Sequence, residues 1–166
     1  MATAGNADGC RRVAANPHRR LATQDGKVAM YRKIMVPVDL EHADALDKAL
    51  ATAAGLAQHH GADVTYVAVT TSAPGAVAHD PDEFARKLDD FAKAQGRRYG
   101  IETTGVTRVS HDPTADLNQT LLATAEEIDA DLIVMASHVP GVIEHLFASH
   151  AGYVANHAEI SVFVVR

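Results

Sequence analysis

Apolar residues recur along this chain in two alternating rhythms, and the alternation predicts its elements. Lys33 to Leu40, KIMVPVDL, is a near-continuous apolar run closed by Asp39, as a parallel strand buried on both faces reads. From His42 to His60 the spacing becomes helical. Leu46, Ala49, Leu50, Ala53, Leu56 and Ala57 share one face, and Gly61 is placed to end the helix. Asp63 to Thr70, DVTYVAVT, is a second strand rich in β-branched residues. After a Pro/Gly/Ala loop from Thr71 to His79, Asp80-Pro81-Asp82-Glu83 sets a helix start. It has a capping Asp, a first-turn proline and a Glu three residues after the cap. Phe84, Leu88, Phe91 and Ala92 form the buried stripe of that helix, which is expected to end near Gly96. Glu102 to Ser110 alternates as a third strand. Asp112-Pro113 repeats the cap-and-proline start, and Leu117, Leu121, Leu122, Ala125 and Ile128 make the third helical face.

The last stretch, Asp131 to Arg166, organises the rest. Leu132 to Met135 is a short buried strand, and Ala136 to Ala148 is a loop punctuated by Pro140 and Gly141. Ser149 stands at an expected N-cap, followed by Ala151, Val154, Ala155 and Ala158 at helical spacing, and Ser161 to Val165 is a final apolar strand. Alternation of this kind predicts a single α/β domain: an open, mainly parallel five-stranded sheet with helices on both faces. Ligands of such sheets bind beyond the carboxyl ends of the strands, where the strand order reverses. A serine-capped helix start offers unpaired N–H groups and the positive end of a dipole, which suits phosphate; the plain alternative is that Ser149 only caps its helix.

Composition narrows the classes. No apolar run approaches the roughly eighteen residues of a membrane span. The single cysteine, Cys10, excludes an internal disulfide and fits a reducing, cytoplasmic setting. The net charge is −6. Residues 1–30 hold five of the fifteen basic and two of the twenty-one acidic side chains, so the remainder carries −9. That balance argues against a nucleic-acid partner. Residues 1–29 lack apolar periodicity and read as a disordered leader ahead of a domain spanning 30–166. Ten histidines invite a metal reading, but none forms a His-x-x-x-His pair on a predicted helix with a third ligand near, and no metal is expected. No Gly-x-Ser-x-Gly elbow occurs, so no catalytic nucleophile is expected.

The segments Ser137-His138-Val139-Pro140-Gly141, Leu146-Phe147-Ala148-Ser149, Tyr153-Val154, Asn156-His157-Ala158 and Val162-Phe163-Val164-Val165-Arg166 carry a resemblance. Together they resemble the universal stress protein family, and the likeness extends back to Tyr31. The resemblance implies a Rossmann-like, adenine-nucleotide-binding fold, usually dimeric, with ATP as the expected ligand and no enzymatic turnover. It implies a nucleotide site between the first and fourth strands. Pro37, Val38, Asp39 and Val69 would lie on the adenine and ribose side. Met135 would complete the site, and Ala136, His138, Val139, Ala148, Ser149 and His150 would lie toward the phosphates, with the Ser149 and His150 N–H groups meeting phosphate oxygens. The family's loop commonly reads Gly-x-x-Gly, nine residues, then Gly-Ser or Gly-Thr. Here Ala136, Val139 and Ala148 stand at the glycine positions, Ser149 is kept, and eight residues intervene. A stress-response regulator or adaptor is the expected function; the alternative is a dimer that has lost nucleotide binding and acts through protein contacts alone.

The closing run Ser161-Val162-Phe163-Val164-Val165 is expected to be an edge strand. Unpaired N–H and C=O groups on an apolar edge are a hazard, which pairing with the same strand of a second chain would remove. Family resemblance points to the same homodimer.

Overall fold

The computed structural model describes residues 23–24, 27–137 and 146–166. A short antiparallel ladder of β1 (Thr23–Gln24) and β2 (Lys27–Val28) lies within the expected leader, of which residues 1–22 and 25–26 fall outside the described residues. The sheet comprises β3 (Lys33–Pro37), β4 (Asp63–Thr70), β5 (Thr103–Val109), β6 (Leu132–Ala136) and β7 (Ser161–Val165). Its order is β5-β4-β3-β6-β7, every pairing parallel, which is the architecture expected from the alternation. Crossovers are α1 (Asp47–His60), α2 (Pro81–Tyr99), α3 (Pro113–Glu127) and α4 (Leu146–His157).

Period-two alternation divides each strand between two cores. Ile34, Val36, Leu132 and Val134 face α1 and α2, together with Leu50, Ala53 and Leu88. Met35, Val67, Ile133 and Met135 face α3 and α4, together with Leu121, Ala151 and Val154. Chain leaving β3 therefore goes to one face of the sheet, and chain leaving β6 goes to the other. The β3–β6 ladder holds only Ile34↔Leu132 and Met35↔Ile133, so beyond those residues the two carboxyl ends part. That is the switch point at which an open α/β sheet has room for a ligand. At the other end Asp131 clips the two strands together, its carboxylate accepting from the Arg32 N–H at 2.8 Å and the Lys33 N–H at 3.0 Å.

Capping residues behave as their chemistry dictates. Gly61 ends α1 and Gly100 ends α2, each in the left-handed region at φ 66° and 64°. Asp80 accepts from the Glu83 N–H at 2.7 Å, and Asp112 from the Ala115 N–H at 3.1 Å.

Five expectations shift. The first strand ends at Pro37, not Leu40, and the helix expected from His42 begins only at Asp47, after a 3-10 segment over Leu40–Leu46. Asp39 is the reason: its carboxylate holds the Glu41 N–H at 3.0 Å and the His42 ring at 2.8 Å, fixing a turn in which His42 is non-helical at φ −121°. α2 continues through Gly96 to Tyr99. Gly96 serves close approach, since a Cβ there would stand 2.6 Å from Thr103 Oγ1. Ala136 belongs to β6 and is buried rather than opening the loop. Finally, α4 starts no later than Leu146, so Ser149 lies inside its first turn and is not its N-cap. Leu146, Phe147 and Ala148 are a run that helices accept readily, and helix formation absorbs them.

Candidate functional site

At the switch point the structure encloses a cavity of about 350 Å³, the size of a small-ligand site. One wall is the turn leaving β3, formed by Pro37, Val38, Asp39, Leu40 and Glu41. The floor is apolar: Val67 and Val69 from β4, Met135 from β6, and Leu117 and Leu121 from α3. The loop between β4 and α2 closes a further side through Thr71, Ala73, Gly75, Ala76, Val77 and Ala78. His150, on α4, completes the lining.

Local chemistry explains how each wall is held. Thr71 Oγ1 accepts from the Ala73 N–H at 3.2 Å, and the Gly75 N–H donates to the Ala78 carbonyl at 2.9 Å, which folds the loop over the cavity. Its small side chains leave the space that larger ones would fill. The Val38 N–H donates to the Val67 carbonyl at 2.8 Å, so the β3–β4 register persists one residue past Pro37 and fixes where Asp39 emerges. The Asp39 carboxylate raises the pKa of His42 through their hydrogen bond. Each carboxylate oxygen retains a second lone-pair direction for a ligand.

His150 is only 7% exposed. Its Nδ1 lies 2.7 Å from Asn118 Oδ1 of α3, and its Nε2 is buried without a partner among the described residues. Burial lowers its pKa, which keeps the ring neutral near pH 7. Asp39 and Glu41 are acidic, and neither lysine nor arginine lines the cavity among the described residues.

Of the residues expected from the sequence, Pro37, Val38, Asp39, Val69, Met135 and His150 come together on this cavity. Ala136 does not line it; its side chain packs in the core under α1. Ala148 and Ser149 fall in the first turn of α4, and His138 and Val139 lie outside the described residues. An α-helix leaves unpaired only the N–H groups of its first turn. With α4 under way by Leu146, the His150 N–H lies beyond that first turn and is committed to the helix, and His150 lines the cavity. Sequence reasoning missed the 71–78 loop and the α3 face of Leu117 and Leu121. The loop has no periodicity to flag it, and the two leucines serve the core stripe and the cavity at once.

Comparisons with known proteins agree with this geometry. The universal stress protein family matches over residues 30–166. Universal stress protein G of Salmonella typhimurium is 30% identical over 148 residues, covering 82% of this chain and 100% of that protein. A universal stress protein solved in complex with cAMP superposes at a TM-score of 0.61 and 19% identity, covering 82% of this chain and 97% of its own. One from Archaeoglobus fulgidus, in complex with dAMP, superposes at 0.59 and 24% identity, covering 82% and 98%. These two structural likenesses show the fold.

Proposed function

Since the chain belongs to the universal stress protein family, we propose that it binds an adenine nucleotide in the cavity at its switch point and acts as a homodimeric, non-catalytic regulator of the stress response. The cavity itself carries the proposal. It lies between the parted ends of β3 and β6, with an apolar floor for a purine and the Asp39 carboxylate beside it. Structural relatives solved with cAMP and dAMP support the ligand class. A nucleotide's base would lie against Val38 and Val69, its sugar near Asp39, and its phosphate toward the start of α4, where Ala148 and Ser149 lie; His138 and Val139, outside the described residues, are further proposed phosphate neighbours. ATP is the fullest ligand of this class, and the acidic lining favours forms carrying fewer phosphates.

Support for the dimer comes from β7. It is an edge strand, and Phe163 stands 46% exposed on it. Two such edges paired about a two-fold axis would cover both. A cytoplasmic setting fits a single cysteine.

A second reading has its own observation. Ala136, Val139 and Ala148 replace the family's loop glycines, as they would in a dimer that has given up nucleotide and works through protein contacts. Thermal melts decide between them. At about 100 times Kd a bound nucleotide adds roughly 2.7 kcal/mol. A raised Tm with AMP, cAMP or ATP supports the first reading, and an unchanged Tm at millimolar concentrations of all three supports the second.

A further inference from the structure

One wall of the cavity, the loop over residues 71–79, has little of its own to hold it. Residues 72–76 are exposed and Ala78 alone is buried, and a segment with few buried apolar contacts opens readily. Two side chains on successive turns of α2 reach back to this loop. Glu83 Oε2 accepts from the His79 N–H at 2.8 Å and lies 3.2 Å from His79 Nδ1. Lys87 Nζ donates to the Val77 carbonyl and pairs with Glu83 Oε1 at 2.7 Å. A Glu three residues after a helix cap ordinarily returns to the N–H of the capping residue itself. Here Asp80 is the cap, and Glu83 takes the N–H of His79, one residue further into the loop. These contacts, the His79 N–H foremost, pull the Glu83 pKa down to about 2, so its carboxylate is charged at neutral pH. Neither Glu83 nor Lys87 lines the cavity, whereas Val77 and Ala78, beside the bonds they make, do.

We propose that Glu83 and Lys87 are positioning residues for the ligand site: they latch the 71–79 loop to α2, and with it the Val77–Ala78 wall of the cavity, without touching the ligand. This inference rests on the cavity being a nucleotide site. Apparent affinity scales with the fraction of molecules in which the binding-competent arrangement is present, so a latch on one wall is a control on binding. The Lys87 and Glu83 side chains are 47% and 27% exposed, and exposed ion pairs contribute little to global stability. Breaking the latch therefore frees the loop and leaves the sheet and its cores intact.

The test titrates AMP calorimetrically into the native chain, Lys87→Met and Lys87→Arg. Methionine keeps an unbranched stem and a good helix propensity but has no ammonium to donate. Lys87→Met should bind AMP about fivefold more weakly, the low end of typical coupling between distant groups, while its unliganded Tm stays within about 2 °C of the native value. Lys87→Arg, which keeps the charge and the donors, should bind within about twofold of the native chain. Amide exchange supplies a readout that a merely structural role would not move. The Gly75 N–H, which donates to the Ala78 carbonyl within the loop, should exchange faster in unliganded Lys87→Met and slow again on saturation with AMP. Equal AMP affinity in the native chain and Lys87→Met overturns the inference and leaves the nucleotide reading standing. So does an Lys87→Arg that binds as weakly as Lys87→Met, or weakened binding with Gly75 exchange unchanged. Failure of AMP to bind the native chain overturns both readings. Should Lys87→Met not fold, Glu83→Gln, which keeps a carbonyl for the His79 N–H and drops the charge facing Lys87, should show the same weakening; native affinity in that variant overturns the inference.

Discussion

Asp39 carries a structural duty and, on the account above, a ligand-binding one, and two substitutions separate them. Asp39→Ala removes the acceptor that holds the Glu41 N–H at 3.0 Å, a capping bond worth about 1 kcal/mol. It also removes the 2.8 Å contact with the His42 ring. Both side chains are about a third exposed, so solvent screening limits that contact to a few tenths of a kcal/mol, by the roughly 0.2–1 kcal/mol of exposed pairs. The sign of its pH dependence follows from the raised pKa of His42, whose largest cause is the Asp39 hydrogen bond. Stability from such a pair is fully present below the unfolded value of 6.5 and is lost as pH rises through the folded one. Asp39→Ala should therefore cost slightly above 1 kcal/mol at pH 5.5 and about 1 kcal/mol at pH 9, read by calorimetry as a fall of about 2–4 °C in Tm. Asp39→Asn keeps a carbonyl oxygen for the Glu41 N–H and should melt within about 1 °C of the native chain at pH 9. Its affinity for AMP should nonetheless fall, since a hydrogen bond to a charged group contributes about 1.5–3 kcal/mol. Equal melting losses in both variants, or an unchanged AMP affinity in Asp39→Asn, would refute the division of labour.

Other consequences are more local. Gly105→Val should destabilise the fold by about 1–3 kcal/mol in urea unfolding, because even a Cβ there would meet the Leu88 backbone carbonyl of α2 at 3.2 Å. His150 titrates in the opposite sense to His42. Its folded pKa is depressed by burial, so the unfolded chain takes up a proton first and stability should fall as pH drops through 6.5. That slope should flatten in His150→Phe, as measured by Tm between pH 7.5 and 5. Val164→Pro removes a backbone donor from β7 and should convert a dimer into monomer or aggregate in light scattering; a native chain that stays monomeric at high micromolar concentration rules that interface out.

Much of the fold was legible because burial on both faces and one-sided burial leave different periodicities. KIMVPV and DLIVMA read as central strands, and β3 and β6 are indeed interior to the sheet. Capping chemistry placed the starts of α2 and α3, where Asp80 and Asp112 hold the expected N–H groups. Boundaries failed where one residue answers to two demands. Gly96 looked like a stop and is a point of close approach to Thr103; Asp39 looked like a strand end and also holds the turn that delays α1 to Asp47. The site was half legible. Pro37, Val38, Asp39, Val69 and Met135 lie at strand ends, which topology alone brings to one crevice. His150 was expected at the free start of a helix and lies inside one, since no local pattern tells a helix that includes Leu146 from one capped at Ser149.

The most direct test of the central claim is methyl NMR of the native chain titrated with AMP. Saturable shifts are predicted for the methyl groups of Val38, Val69, Leu117 and Met135, which come from three strands or strand ends and one helix and all line the cavity. Methyl groups of Val162 and Val164 on β7 should stay still. No shift at millimolar AMP, or shifts confined to β7, would contradict the account.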